Sequence, residues 1–121
     1  MDKAQAIHSF WSGFGLVAYD ENTVPDDAVA PYITYSVSTD SLEGPVTLYG
    51  SLWYRSLSWT EASQKSEQIS EYITNMQPIK IDGGYLWIMK GTPFAQRMSD
   101  PGDDMVRRIY INIIAEFLTA Y

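Results

Sequence analysis

The run from Met105 to Thr119, MVRRIYINIIAEFLT, admits one regular structure. Ile109, Ile111, Ile113, Ala115 and Phe117 share one parity, and Arg108, Tyr110, Asn112 and Glu116 share the other. A helix would scatter those isoleucines around its circumference, whereas a strand gathers them on one face. A strand with one apolar face needs neighbours to bond its backbone and a second layer to cover it. The remainder of the chain must supply both.

Two further segments alternate. In Tyr32 to Thr39, Ile33, Tyr35 and Val37 point one way and Thr34, Ser36 and Ser38 the other. In Val46 to Ser56, Val46, Leu48, Leu52 and Tyr54 oppose Thr47, Tyr49, Ser51 and Trp53. With a turn over Asp40 to Pro45, the two predict an antiparallel hairpin. A second hairpin is predicted in IKIDGGYLWIMK, residues 79–90. A turn at Gly83-Gly84 would set Ile81 opposite Leu86 and Ile79 opposite Ile88, all on one face.

Two helices complete the pattern. Asp2 and Gln5 have capping-box spacing ahead of an apolar stripe, Ala4, Ile7, Phe10, Trp11 and Phe14, which Gly13 and Gly15 end. Ser58 and Glu61 have the same spacing ahead of Ala62, Ile69, Ile73 and Met76, and Pro78 stops that helix. Residues 16–31, LVAYDENTVPDDAVAP, read as an extended loop. Residues 91–104, GTPFAQRMSDPGDD, read as neither helix nor strand. The expected fold class is α+β: a mostly antiparallel sheet of about five strands, with both helices packed on one face. A chain of 121 residues suits a single domain spanning 1–121.

Composition narrows the function. There are no cysteines, so disulfides, thiolate metal sites and cysteine nucleophiles are out. The formal charge is −7, with eight Lys and Arg against fifteen Asp and Glu. That balance disfavours DNA binding, which works by neutralising phosphates. The amino-terminal residues MDKAQAIHSFW lack the apolar core of a secretory leader. No apolar run approaches the ~20 residues that cross a bilayer. Synthesis in a cytoplasm and no membrane partner are the expectation.

No catalytic constellation emerges. His8 is the only histidine and is expected at the solvent edge of the first helix. No serine near it has the setting of a nucleophile elbow. A zinc site would need further histidines. Gly13-Phe-Gly-Leu-Val-Ala18 loosely matches a dinucleotide fingerprint, but its glycines close a helix where the motif must open one. Asp100-Pro-Gly-Asp-Asp104 lacks the spacing of a calcium loop and suits a backbone-bonding turn. Neither enzyme chemistry, nor a cofactor, nor a metal is expected. Nine tyrosines and four tryptophans remain, residue types enriched both in strands and at protein interfaces.

A resemblance gives those aromatics a use. Residues 7–20 (IHSFWSGFGLVAYD), 31–35 (PYITY) and 85–108 (YLWIMKG, TPFAQ and SDPGDDMVRR within it) look like small neck and tail proteins of long-tailed bacteriophages, tail terminators above all. The similarity covers nearly the whole chain. It implies a small α/β subunit of a ring, typically a hexamer. Such a ring caps the head-proximal end of the tail tube, ends tube polymerisation and joins the tail to the head. The implied partners are copies of itself, the tail tube protein and the connector or stopper, with DNA passing through unbound. The implied setting is the virion neck, assembled in the host bacterial cytoplasm. A head-completion or stopper protein, and an acidic inhibitor of a basic partner, are the alternatives.

The loop of residues 91–104 is then expected to be a docking arm. Phe94 and Met98 would supply apolar anchors, and Gln96, Arg97, Asp100, Arg107 and Arg108 directional contacts to a neighbour; the alternative is that Phe94 folds back on its own core. Acidic loops lining the channel would repel the phosphates of passing DNA.

Overall fold

The computed structural model describes residues 1–38 and 44–119. In chain order these form α1 (Lys3–Trp11), a 3-10 turn (Ser12–Phe14), β1 (Val17–Asp20), β2 (Tyr32–Tyr35) and β3 (Val46–Arg55). Then come α2 (Thr60–Asn75), β4 (Ile79–Ile81), β5 (Gly84–Met98) and β6 (Val106–Thr119). The class is α+β, with a six-stranded mixed sheet of order β1-β2-β3-β6-β5-β4 curled as a half-barrel. All neighbours are antiparallel except β1 and β2, which run parallel.

The alternating run at the carboxy-terminal end is the centre of this sheet. β6 pairs along its length with β3 and β5 and turns Ile109, Ile111, Ile113 and Ala115 into the core. Both helices cover that face. Burying each such isoleucine contributes roughly 1.5–3 kcal/mol, so the period-two pattern supplies much of the drive for layering.

Helix α1 starts as its sequence predicts. The Asp2 carboxylate accepts from Gln5 N at 2.8 Å, and the Gln5 side chain accepts from Asp2 N at 2.9 Å. Its buried stripe is Ala6, Ile7, Phe10 and Trp11, and the expected Ala4 is exposed. The Trp11 ring lies on Gly50 of β3, and a Cβ there would come within 2.6 Å of it. Helix α2 lacks the expected capping box. Its N-cap is Trp59, and Ser58 Oγ accepts instead from Thr60 N at 3.1 Å. The expected stripe residues Ala62, Ile69 and Ile73 are buried, and Met76 packs partly against the core.

Three expectations need correction. Val17–Asp20, within the segment read as loop, is an edge strand beside β2. Residues 91–98 are strand, not loop: they extend β5, with a register shift between Lys90 and Ala95. The β4–β5 register differs by two residues, with Ile79 opposite Leu86 and Ile81 opposite Gly84. The turn is Asp82-Gly83, because Gly83 takes the left-handed φ of 80° and a Cβ on Gly84 would strike Leu118 O at 2.0 Å. The four apolar residues still share the core side. The β2–β3 hairpin pairing holds, with Tyr32 opposite Trp53. β2 ends at Tyr35, and Val37 is exposed. Thr39 and most of the expected turn at 40–45 lie outside the described residues.

Candidate functional site

Among the described residues, no second layer covers the other face of the sheet. Parity places Tyr19 of β1, Tyr32 of β2, Tyr49 and Trp53 of β3, Tyr85 and Trp87 of β5, and Tyr110 of β6 on that outer face. Those of β1, β2, β3 and β6 form a continuous ladder, bridged by Arg108. Tyr19 meets Tyr32 edge-on at 5.7 Å between ring centroids, and Tyr32 stacks on Trp53 at 6.2 Å. The Arg108 guanidinium lies 4.6 Å over Trp53 and 5.8 Å from Tyr110. Tyr110 stacks on Tyr49 at 5.3 Å, and the Tyr49 hydroxyl donates to Glu21 at 2.8 Å.

Polar contacts fix the ladder in place. Trp53 Nε1 donates to Thr34 Oγ1 at 2.8 Å, and Arg108 Nε donates to Ser51 Oγ at 3.0 Å. Ser51 is buried beneath these side chains. The Tyr49 hydroxyl titrates above its ordinary value, chiefly because it donates to the Glu21 carboxylate and then because of partial burial. Beyond the ladder, Tyr85, Trp87 and Leu118 stand nearly half exposed on the same face. This face offers wide apolar area with little left to order, the character of a contact surface.

The expected arm residues do not act as one group. Phe94 is half-buried and packs against the chain's own core, so it is no free anchor. Gln96 and Met98 lie exposed on the outer face. Arg97 and Arg107 lie on the helix side, stacked 4.9 Å and 5.5 Å from the Trp59 ring. Arg107 also donates to the carbonyls of Leu57 and Asp104. Arg108 is on the opposite face, inside the ladder. Asp100 is spent on its own turn, accepting from Gly102 N at 2.9 Å.

The turn after β5 is held from within. Asp103 accepts from Met105 N and pairs with Arg55 of β3. The Arg55 hydrogen bond, followed by the Met105 N–H, holds the Asp103 carboxyl below the usual carboxylate range. No group of three or more metal-ligating side chains is gathered among the described residues. His8, exposed as expected, is held by Tyr35 OH at 2.7 Å on Nδ1 and by Ser12 Oγ at 3.1 Å on Nε2. Ser12 caps the end of the same helix. The contact is therefore local, and a tyrosine stands where a triad would place its carboxylate.

A second feature is the free edge of β5. β4 pairs only with Gly84 to Leu86, so β5 from Trp87 to Met98 has no strand on that side among the described residues. Ala95, Gln96, Arg97 and Met98 are all exposed. A groove of about 380 Å³ runs beside its upper part, lined by Ile73, Met76, Pro78, Trp87, Ile88 and Met89 among others. Sequence reading placed Tyr49, Trp53 and Tyr110 on outward faces, but their polar neighbours disguised the ladder. The signal was the recurrence of large aromatics at outward parity. No helix among the described residues is long and apolar enough to cross a membrane. No protein-family model matches the sequence, and no curated protein matches it.

Proposed function

We propose that this chain is a structural subunit of a long-tailed bacteriophage, one that forms a ring at the head-proximal end of the tail tube. There it ends tube polymerisation and joins the tail to the head connector. The observation that carries the reading is the outer sheet face, where a preordered aromatic ladder and exposed Trp87, Tyr85 and Leu118 stand uncovered. The resemblance of residues 7–20, 31–35 and 85–108 to tail terminators supplies the identity of the assembly.

The dimensions allow it. The subunit exposes 7147 Å². Two lateral contacts of standard size, each about 800 Å² per partner, would cover between a fifth and a quarter of that. Head-to-tail contacts of this kind close when the rotation permits. The surface left over serves the tube and the connector. The net charge of −7 suits a channel that DNA crosses without being held.

Deleting the coding sequence from the virus that carries it tests the reading. The expected outcome is tail tubes of uncontrolled length that fail to join heads, and antibody raised against the chain should label one end of normal tails. Tails of normal length that attach to heads would overturn it. So would a chain that stays monomeric by light scattering with tube protein present.

A further inference from the structure

Among the described residues, the outer edges of β1 and of the second half of β5 have no partner strand, and the two fit each other. Following the paired residues across the sheet, Val17 of β1 is level with Tyr32, Trp53, Arg108 and finally Met98 of β5. Asp20 is level in the same way with Tyr35, Gly50, Ile111 and Ala95. β4 occupies the outer side of β5 only at Gly84 to Leu86, near the other end of that strand. The vacant strand position below β4 is therefore at the height of β1.

We propose that β1 of one copy fills the position beside residues 95–98 of β5 in the next copy, continuing the sheet from subunit to subunit. This assignment rests on the ring reading above and names its lateral contact. Four features support it. Strand directions agree, because β1 and β5 are antiparallel within one sheet, so a neighbour in the same orientation presents an antiparallel strand. Parity agrees: Val17 and Tyr19 would face Met98 and Gln96 on the outer side, and Ala18 and Asp20 would face Arg97 and Ala95 on the helix side. Lengths agree, because β1 has four residues and the regular stretch of β5 beyond its register shift, Ala95 to Met98, also has four.

Side-chain chemistry agrees as well. Val17, 60% exposed, would meet Met98, 37% exposed, so two unshielded apolar groups cover each other. Asp20 and Arg97 would be diagonal neighbours on the helix side, within reach of a long side chain and of opposite charge. The contact is heterologous, which is the kind that closes rings. It also brings the aromatic ladders of adjacent subunits into line, since Tyr19 at the end of one would stand beside Gln96, which Tyr110 flanks on its other side.

Engineered cysteines test the pairing, because the chain has none of its own. The variants are Val17→Cys and Met98→Cys, both at exposed positions, with folding checked by circular dichroism. Oxidising an equal mixture of the two should give a covalent dimer that neither variant gives alone. The chain carrying both should give a ladder of covalent oligomers. Dimers of Met98→Cys alone would mean symmetric β5–β5 pairing and would overturn the proposal. Rings visible by negative stain without covalent product would overturn this contact and leave the ring reading standing. A covalent ladder that never closes would uphold the contact and overturn the ring. Absence of any oligomer, covalent or not, would overturn both.

Discussion

Replacing Gly50 with alanine should destabilise the fold even though the backbone tolerates a side chain there. Gly50 has no positive φ, so the strain is one of space alone. An added Cβ would lie 2.6, 2.8 and 2.9 Å from three ring carbons of Trp11. Carbon atoms settle at about 3.5–4.0 Å, so the indole must retreat by roughly 1 Å. It has nowhere open to go: Trp11 is fully buried and packs edge-on against Phe10 at 4.9 Å. Overpacking of this kind costs about 1–3 kcal/mol, while removing a glycine from the unfolded chain returns about 0.4–1 kcal/mol. The net loss should be about 1–2 kcal/mol. In urea denaturation followed by tryptophan fluorescence, the midpoint should fall by roughly 1 M at constant slope. In a Trp11→Phe background, where the smaller ring leaves room, the same substitution should cost little. The two changes should thus couple by about 1 kcal/mol or more. An unchanged midpoint for Gly50→Ala, or an equal loss in both backgrounds, would refute the claim that the indole is pressed onto this glycine.

Arg108→Ala should cost about 1–2 kcal/mol, because it strips the bonded partner from the buried Ser51 hydroxyl. Arg108→Lys should not restore it, since an ammonium lacks the flat face that lies over Trp53; thermal melts of both variants check this. Arg55→Ala should raise the titration midpoint of Asp103, followed by carboxyl carbon NMR, and an unmoved midpoint would show that Arg55 does not set it. Because the folded value is depressed, the Arg55–Asp103 contribution is present above the ordinary carboxylate pKa of about 3.9 and is lost as pH falls through the lower folded value.

Legibility in this sequence followed the length of each pattern. β3 and β6 were readable because each repeats its parity over many residues, and α1 because Asp2 and Gln5 form the box their spacing predicts. β1 was not readable: within it only Ala18 is buried, and its parallel pairing with β2 leaves no tight turn between them. The second half of β5 was hidden by Thr92-Pro93 and the register shift beside them, where alternation breaks although the strand continues. Proline is tolerated there because the register shift leaves the ladder unpaired between Lys90 and Ala95. Phe94 and Met98 looked like a pair of anchors, yet one turns to the core and the other outward. Spacing alone could not separate them across a shift that resets parity.

The four tryptophans occupy four different surroundings, and the molecule therefore carries its own set of optical reporters. Trp11 is sealed inside, Trp59 lies beneath two guanidinium groups at the start of α2, Trp53 is stacked within the ladder, and Trp87 is 44% exposed. Emission from single-tryptophan versions would distinguish interior melting from events on the uncovered face without any attached dye. A blue shift confined to Trp87 or Trp53 during assembly would locate the newly dried surface, while Trp11 stayed silent.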